Sequence, residues 1–148
     1  MNWLIELIAS LFRPKPTPVP PVPPSGDWRT TLLNLHNAQR SKNGIPLFVM
    51  DDKLNNAAQL HTNWMSTNKK LDHNEGFVGP GQRMTAQGYR WRSWGENIAW
   101  GQRNEQNVMT SWMNSPGHRG NILNKNFVNV GFGRSTDNYW TVDFGKPS

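Results

Sequence analysis

A run of prolines divides this 148-residue chain before any other feature is considered. Residues 14–24 read Pro-Lys-Pro-Thr-Pro-Val-Pro-Pro-Val-Pro-Pro. Proline has no backbone N–H and holds φ near −65°, so such a stretch enters neither a helix interior nor the middle of a sheet. It adopts extended polyproline II, at roughly 3.1 Å per residue and so about 35 Å end to end. Residues 14–26, closed by Ser25 and Gly26, therefore read as a semi-rigid linker. A globular domain has to be built from residues 27–148, a length that can bury a sizeable core without staples.

Ahead of the linker, residues 1–13 carry Trp3, Leu4, Leu7, Ile8, Leu11 and Phe12 at helical spacing, with Glu6 and Ser10 on the other side. This predicts a short amphipathic helix, too short to span a bilayer. No basic stretch precedes the apolar residues, Glu6 interrupts them, and no small-x-small cleavage site follows, so a cleavable secretory signal is poorly matched. A membrane anchor, a segment that docks on a partner, and a helix folded back on its own domain all stay open.

The chain has no cysteine, which excludes a disulfide framework and any cysteine-based metal site. Its net charge of +6 suits contact with anionic surfaces such as cell-wall polymers or lipid headgroups. The basic residues are scattered; Arg83, Arg90 and Arg92 come nearest to a cluster. With no zinc finger and no RNA-reading aromatic signature, no specific nucleic-acid partner is expected.

Within the domain, Asp27 can cap a first helix carrying Trp28, Leu32, Leu35 and Ala38, stopped by Gly44 and Pro46. Asp51 or Asp52 caps a second, with the stripe Leu54, Ala57, Ala58, His61, Trp64 and Met65. Residues 69–95 read as loop with one short helix. Glu105–Ser115 reads as another helix, and Ser115-Pro116 as the cap and first position of a further turn. Val128–Phe132 and Tyr139–Phe144 alternate in character and predict an antiparallel hairpin. Helices first and strands last make an α+β domain.

Four histidines have different settings. His36 and His61 lie within helical stripes and read as structural. His73, in Leu71-Asp-His-Asn-Glu75, and His118, in Ser115-Pro-Gly-His-Arg119, sit in turn-like segments where functional side chains concentrate. Two imidazoles and a carboxylate can hold zinc, but no His-x-x-x-His or His-Glu-x-x-His pair occurs, so the local spacing lends no support. Glu96 is the one acid between Glu75 and Glu105, set among tryptophans in Trp94-Gly-Glu-Asn-Ile-Ala-Trp100. Partial desolvation there would raise its pKa toward that of a general acid or base; alternatively it ties down a loop. Ser115 reads as a cap, since no Gly-x-Ser-x-Gly elbow is present.

Several of these stretches, taken in order, resemble the CAP superfamily of cysteine-rich secretory, antigen 5 and pathogenesis-related proteins. The matching segments are Leu33–Arg40 with Gly44–Leu47, Leu54–Met65, Leu71-Asp-His73, Gly88-Tyr89, Trp94–Ala99, Trp112–Leu123 in the form of bacterial members, Val128–Gly133 and Trp140–Gly145. They cover nearly all of residues 28–145. The resemblance implies a three-layer α-β-α sandwich with a central antiparallel sheet, preceded here by the amphipathic helix and linker. It also implies a cleft that binds Zn2+ or another divalent cation in some members, with His73 and His118 as metal ligands and Glu96 as the carboxylate and candidate catalytic base. Ser115 and Asn97 would join these three in binding a ligand. Animal and plant members often place a second glutamate where Ser115 stands. The absence of cysteine fits a bacterial or phage branch.

Because the superfamily carries no single reaction, the resemblance leaves the activity open. The expectation is a cation- and ligand-binding module at the cell envelope or outside the cell, taking an envelope component, lipid or small ligand. The alternatives are a metal-dependent hydrolase and an adaptor that docks a protein or membrane surface through residues 1–12.

Overall fold

The structure, a computed structural model, describes residues 27–148; the helix expected over 1–12 and the proline linker lie outside the described residues. Helix α1 spans Trp28–Lys42 and opens on Asp27, whose carboxylate accepts from the Arg29 N–H at 3.1 Å. Helix α2 spans Asp52–Asn68. Its cap is Asp51 rather than Asp52, with the Asp51 carboxylate accepting from the Leu54 N–H at 3.0 Å. The one short helix in the following segment is α3, Pro80–Ala86. Helix α4, Glu105–Met113, stops two residues before the expected end, and α5 runs from Pro116 to Ile122.

The strands are β1 (Val49–Met50), β2 (Trp91–Trp100), β3 (Asn129–Arg134) and β4 (Tyr139–Pro147), ordered β1-β3-β4-β2. The hairpin β3–β4 is as expected, and β2 pairs antiparallel with β4. The sheet is nevertheless mixed, because the two-residue β1 pairs parallel with β3. The loop read over 69–95 also ends early: β2 begins at Trp91 and carries Glu96 in mid-strand. Its first residues alternate with exposed Arg92 and Trp94, and only from Gly95 onward is the strand buried on both faces. That half-solvated start, with a glycine in the middle, masks the strand signal.

Helices α1, α4 and α5 cover one face of the sheet, and α2 and α3 the other, giving the three layers. The first interface is a dense apolar core that includes Leu32, Trp112, Ile122, Phe132, Trp140 and Phe144. His36 sits inside it as a structural residue, its Nδ1–H donating to the Leu32 carbonyl at 2.8 Å and its ring packed among Phe48, Trp112, Phe132 and Phe144. Burial lowers its pKa to about 4. Arg40, 1% exposed, clamps the end of α1 to distant chain by donating to the carbonyls of Pro46, Ile122, Asn124 and Phe127 at 2.8–3.1 Å. Its guanidinium lies 3.7 Å from the Phe48 ring centroid.

The second interface has two smaller apolar clusters, one around Leu54, Met84 and Tyr89, the other around Met65, Ile98 and Tyr139. Polar groups lie between them. Helix α2 rests on bare backbone here: a Cβ on Gly131 would stand 2.1 Å from the Leu54 carbonyl carbon, and one on Gly133 2.4 Å from the Ala58 oxygen. Both neighbours are main chain and cannot swing aside.

Two outcomes are expected. Gly131→Ala should destabilise the domain by at least about 3 kcal/mol, since overpacking against a helix backbone has no side-chain relief; urea unfolding at pH 7 measures it. His36 takes up its proton only near pH 4 when folded, but near 6.5 when unfolded. Stability present above pH 6.5 is therefore lost as pH falls toward 4, by about 3 kcal/mol from this group. His36→Phe should flatten that part of the stability–pH curve whatever its effect at neutral pH.

Candidate functional site

Four elements and one loop deliver charged side chains to the α2 face of the sheet. The inner stripe of α2 includes Leu54, Ala58, His61, Thr62 and Met65, spaced three and four apart, so His61 lies against the strands. The chain leaving α2 is held by Asp72, whose carboxylate accepts from the Asn74 N–H at 2.8 Å. It then makes a tight turn in which Glu75 and Val78 exchange backbone bonds at 2.9 and 3.0 Å, with Gly76 at φ +61°. His73 and Glu75 are thereby fixed at the mouth of the interface. Helix α3 contributes Arg83, strand β2 Glu96, and strand β4 Asp143, which stands directly opposite Glu96 in the register.

Glu96 is fully buried and both its oxygens are occupied. His73 Nδ1–H donates to Oε1 at 2.9 Å, and Arg83 donates to Oε2 at 2.7 Å. Arg83, 7% exposed, also donates to the His73 carbonyl at 2.8 Å, and its Nε lies 3.8 Å from Glu75 Oε1. His61 has Nδ1 at 2.8 Å from Glu75 Oε1 and Nε2 at 2.7 Å from the Asp72 carbonyl, with Glu96 Oε1 3.9 Å from Nε2. Both His61 nitrogens face oxygen acceptors.

Burial alone would push the Glu96 pKa up. The hydrogen bonds from His73 and Asp143 and the charges of His61 and Arg83 outweigh it and bring it down to about 2. Its partner moves the opposite way: burial first, then the charge of Glu96, raise Asp143 well above the ordinary range. No other described side chain or N–H donates to the Asp143 oxygens. Two facing buried acids do not readily both ionise, and Asp143 is the one pushed toward its protonated form. Arg83 faces both Glu96 and Glu75.

His73 and Glu96 are brought together; the other expected site residues are elsewhere. Successive strand residues point to opposite faces, so Asn97 projects away from Glu96, where its amide donates to the His118 carbonyl at 3.1 Å and its oxygen accepts from Asn121 at 2.8 Å. His118 lies on α5 in the other layer, with its Nδ1 2.7 Å from Ser115 Oγ. Ser115 occupies the cap position of α5, but its hydroxyl bonds His118 rather than a backbone N–H. The geometry engages His73 with Glu96 and His118 with Ser115 on α5. Glu96, the carboxylate of that implied set, has both oxygens bonded. The residues present therefore do not fit the implied zinc centre, and among the described residues no group of three His, Asp or Glu side chains is arranged to hold a metal.

Sequence reasoning missed His61, Glu75, Arg83 and Asp143. Asp143 was within reach: strand alternation puts it on the same face as Thr141, and both are polar in a strand whose other face is Trp140, Val142 and Phe144. Arg83 carried no such signal, because nothing local distinguishes it from the solvated Arg90 and Arg92.

Above the cluster, α2 and α3 enclose a groove of about 310 Å³, walled by Ala57, Leu60, Trp64 and Ala86, with Glu75 and Arg83 at its charged end.

Residues 33–144 match the family model described as CAP, the cysteine-rich secretory protein family. The chain is 36% identical over 119 residues to the uncharacterized protein YkwD of Bacillus subtilis, covering 79% of this chain and 46% of that one. Its fold is similar to an extracellular protein containing an SCP domain from Bacillus anthracis, with TM-score 0.76 and 27% identity over 86% of this chain and 45% of the other. It is also similar to an outer surface protein of Borrelia burgdorferi, with TM-score 0.75 and 25% identity over 80% of this chain and 91% of the other. The chain spans about half the length of the two Bacillus proteins. A more distant structure, NaASP2 crystallised with Zn2+, shares the fold at TM-score 0.56 and 15% identity, over 81% of this chain and 80% of that one. Family model, relatives and three-layer fold agree: the chain belongs to the CAP, or cysteine-rich secretory protein, family.

Proposed function

We propose that this domain is a ligand-binding module working outside the cell or at the cell envelope, with its ligand seated in the groove between α2 and α3. The observation that carries this reading is the state of Glu96. A general base needs a free oxygen aimed at a proton and a pKa near the working pH; Glu96 has neither, with both oxygens bonded and a pKa of about 2. This weighs against the hydrolase reading. The groove suits binding, since apolar walls beside a few fixed charged groups are the usual make-up of a small-molecule site. Leu60, 54% exposed, is an apolar residue held open to solvent along it.

The place of action is supported by the relatives described as extracellular and outer-surface proteins, and by the net charge of +6, which favours anionic polymers and headgroups. Among the described residues no helix is long and apolar enough to cross a membrane. The fitting ligands are an envelope component, a lipid or another small molecule with an apolar part. Docking of residues 1–12 on a protein or membrane surface is a separate proposal, tested by deleting them.

The full chain is to be sedimented with isolated bacterial cell walls and, separately, with anionic lipid vesicles. Retention by one of them is expected, with Trp64→Ala and Leu60→Asp each weakening it about tenfold, the loss of roughly 1.4 kcal/mol. No retention on either, or equal retention of the variants, would sink the envelope reading.

The proton on Asp143 has its own test. Its folded pKa lies above the unfolded value, so its contribution to stability is complete below about pH 3.9 and declines as pH rises toward the folded value. Asp143→Asn keeps the shape and a donor toward Glu96 without that decline. The variant's stability relative to the wild type should therefore increase as pH rises above about 4 in urea unfolding. Parallel curves would place the proton elsewhere.

A further inference from the structure

We infer that Arg83 supplies from within the chain the positive charge that a divalent cation would bring to this cluster, and that it thereby closes the site to metal. The guanidinium occupies the space a metal would need. It reaches Glu96 Oε2 at 2.7 Å, the His73 carbonyl at 2.8 Å and the Val78 carbonyl at 3.4 Å, and its Nε faces Glu75 Oε1 at 3.8 Å. These are oxygens of the hard kind a divalent cation seeks. Arg83 is 7% exposed and Glu96 is fully buried, so neither has water to fall back on.

The remaining groups leave almost nothing to coordinate with. A metal takes the lone pair of a neutral imidazole. His61 has both ring nitrogens engaged with oxygens, at 2.8 and 2.7 Å. His73 spends Nδ1–H on Glu96 at 2.9 Å, and its Nε2, which has no hydrogen-bond partner among the described residues, is a single lone pair. The Arg83 guanidinium already lies against both carboxylates, at 2.7 Å from Glu96 Oε2 and 3.8 Å from Glu75 Oε1, so an added divalent ion would compete with a cation for the same oxygens. The inference goes beyond the ligand-binding reading and does not depend on it, because its test uses metal alone.

That test is a calorimetric titration of the full chain, without a histidine tag, with ZnCl2. The wild type is expected to show no zinc binding that depends on Glu96 or His73. Arg83→Ala removes the guanidinium and one positive charge, and is expected to bind one zinc ion per chain at least tenfold more tightly than the wild type. Arg83→Ala combined with Glu96→Gln should lose that gain, and Arg83→Lys, which retains the charge, should not show it. If Arg83→Ala does not hold its fold, refolding with and without ZnCl2, followed by near-ultraviolet circular dichroism, replaces the titration; recovery with zinc is then the expected result. Zinc binding by the wild type that disappears in Glu96→Gln overturns the inference. So does an Arg83→Ala variant that gains neither binding nor zinc-dependent recovery.

Discussion

The close approach of α2 to β3 sets the depth of everything on that side of the sheet. Two glycines, Gly131 and Gly133, let the helix lie on the strand with its main chain against theirs. Side chains of the inner helix stripe then arrive at the level of the strands rather than above them. Thr62 bonds Thr141 across the interface at 2.7 Å, and His61 comes within 3.9 Å of Glu96. A larger residue at either glycine would lift the helix and pull these contacts apart. The charged cluster is a consequence of that contact, because only a helix held this low can cover Glu96 and Asp143 completely.

Covering two acids is costly unless they are compensated, and the compensation here is local. One acid keeps its proton, and the other is held by a guanidinium and an imidazole. Removing one member of such a set leaves a buried charge unmatched, at about 3–5 kcal/mol, although apolar replacement of the whole set can be neutral. The cluster is thus weak evidence for stability as such and strong evidence for a specified arrangement. The other interface needs no such device: His36 is kept neutral, and Arg40 is matched by four carbonyls.

The helices were legible because their caps and stripes are local: Asp27, the Asp51-Asp52 pair and the Leu54–Met65 spacing mark them. The β3–β4 hairpin was legible for the same reason. Strand β2 was not, since Arg92 and Gly95 break its pattern and its partner β4 lies some forty residues on. His73 with Glu96 could be paired only through the family resemblance, as no local spacing joins them. That resemblance also drew in His118, which the fold puts in the other layer: adjacent residues Glu96 and Asn97 serve opposite faces of one strand. Arg83 stayed hidden because an arginine in a short helix looks the same whether it ends in water or against a carboxylate.

The Arg40 clamp has a bearing on how the chain comes together. Three of its four carbonyl partners lie 82–87 residues downstream. Strand β1 likewise waits for β3, and β2 for β4; the hairpin β3–β4 is the one local pairing in the sheet. A ribosome delivers the N-terminal end first, so α1 emerges long before anything it can grip exists. Such non-local closure slows folding, and it makes the last forty residues the ones that commit the rest. A chain cut short ahead of the hairpin would keep its helices' sequence and have no sheet to lay them on.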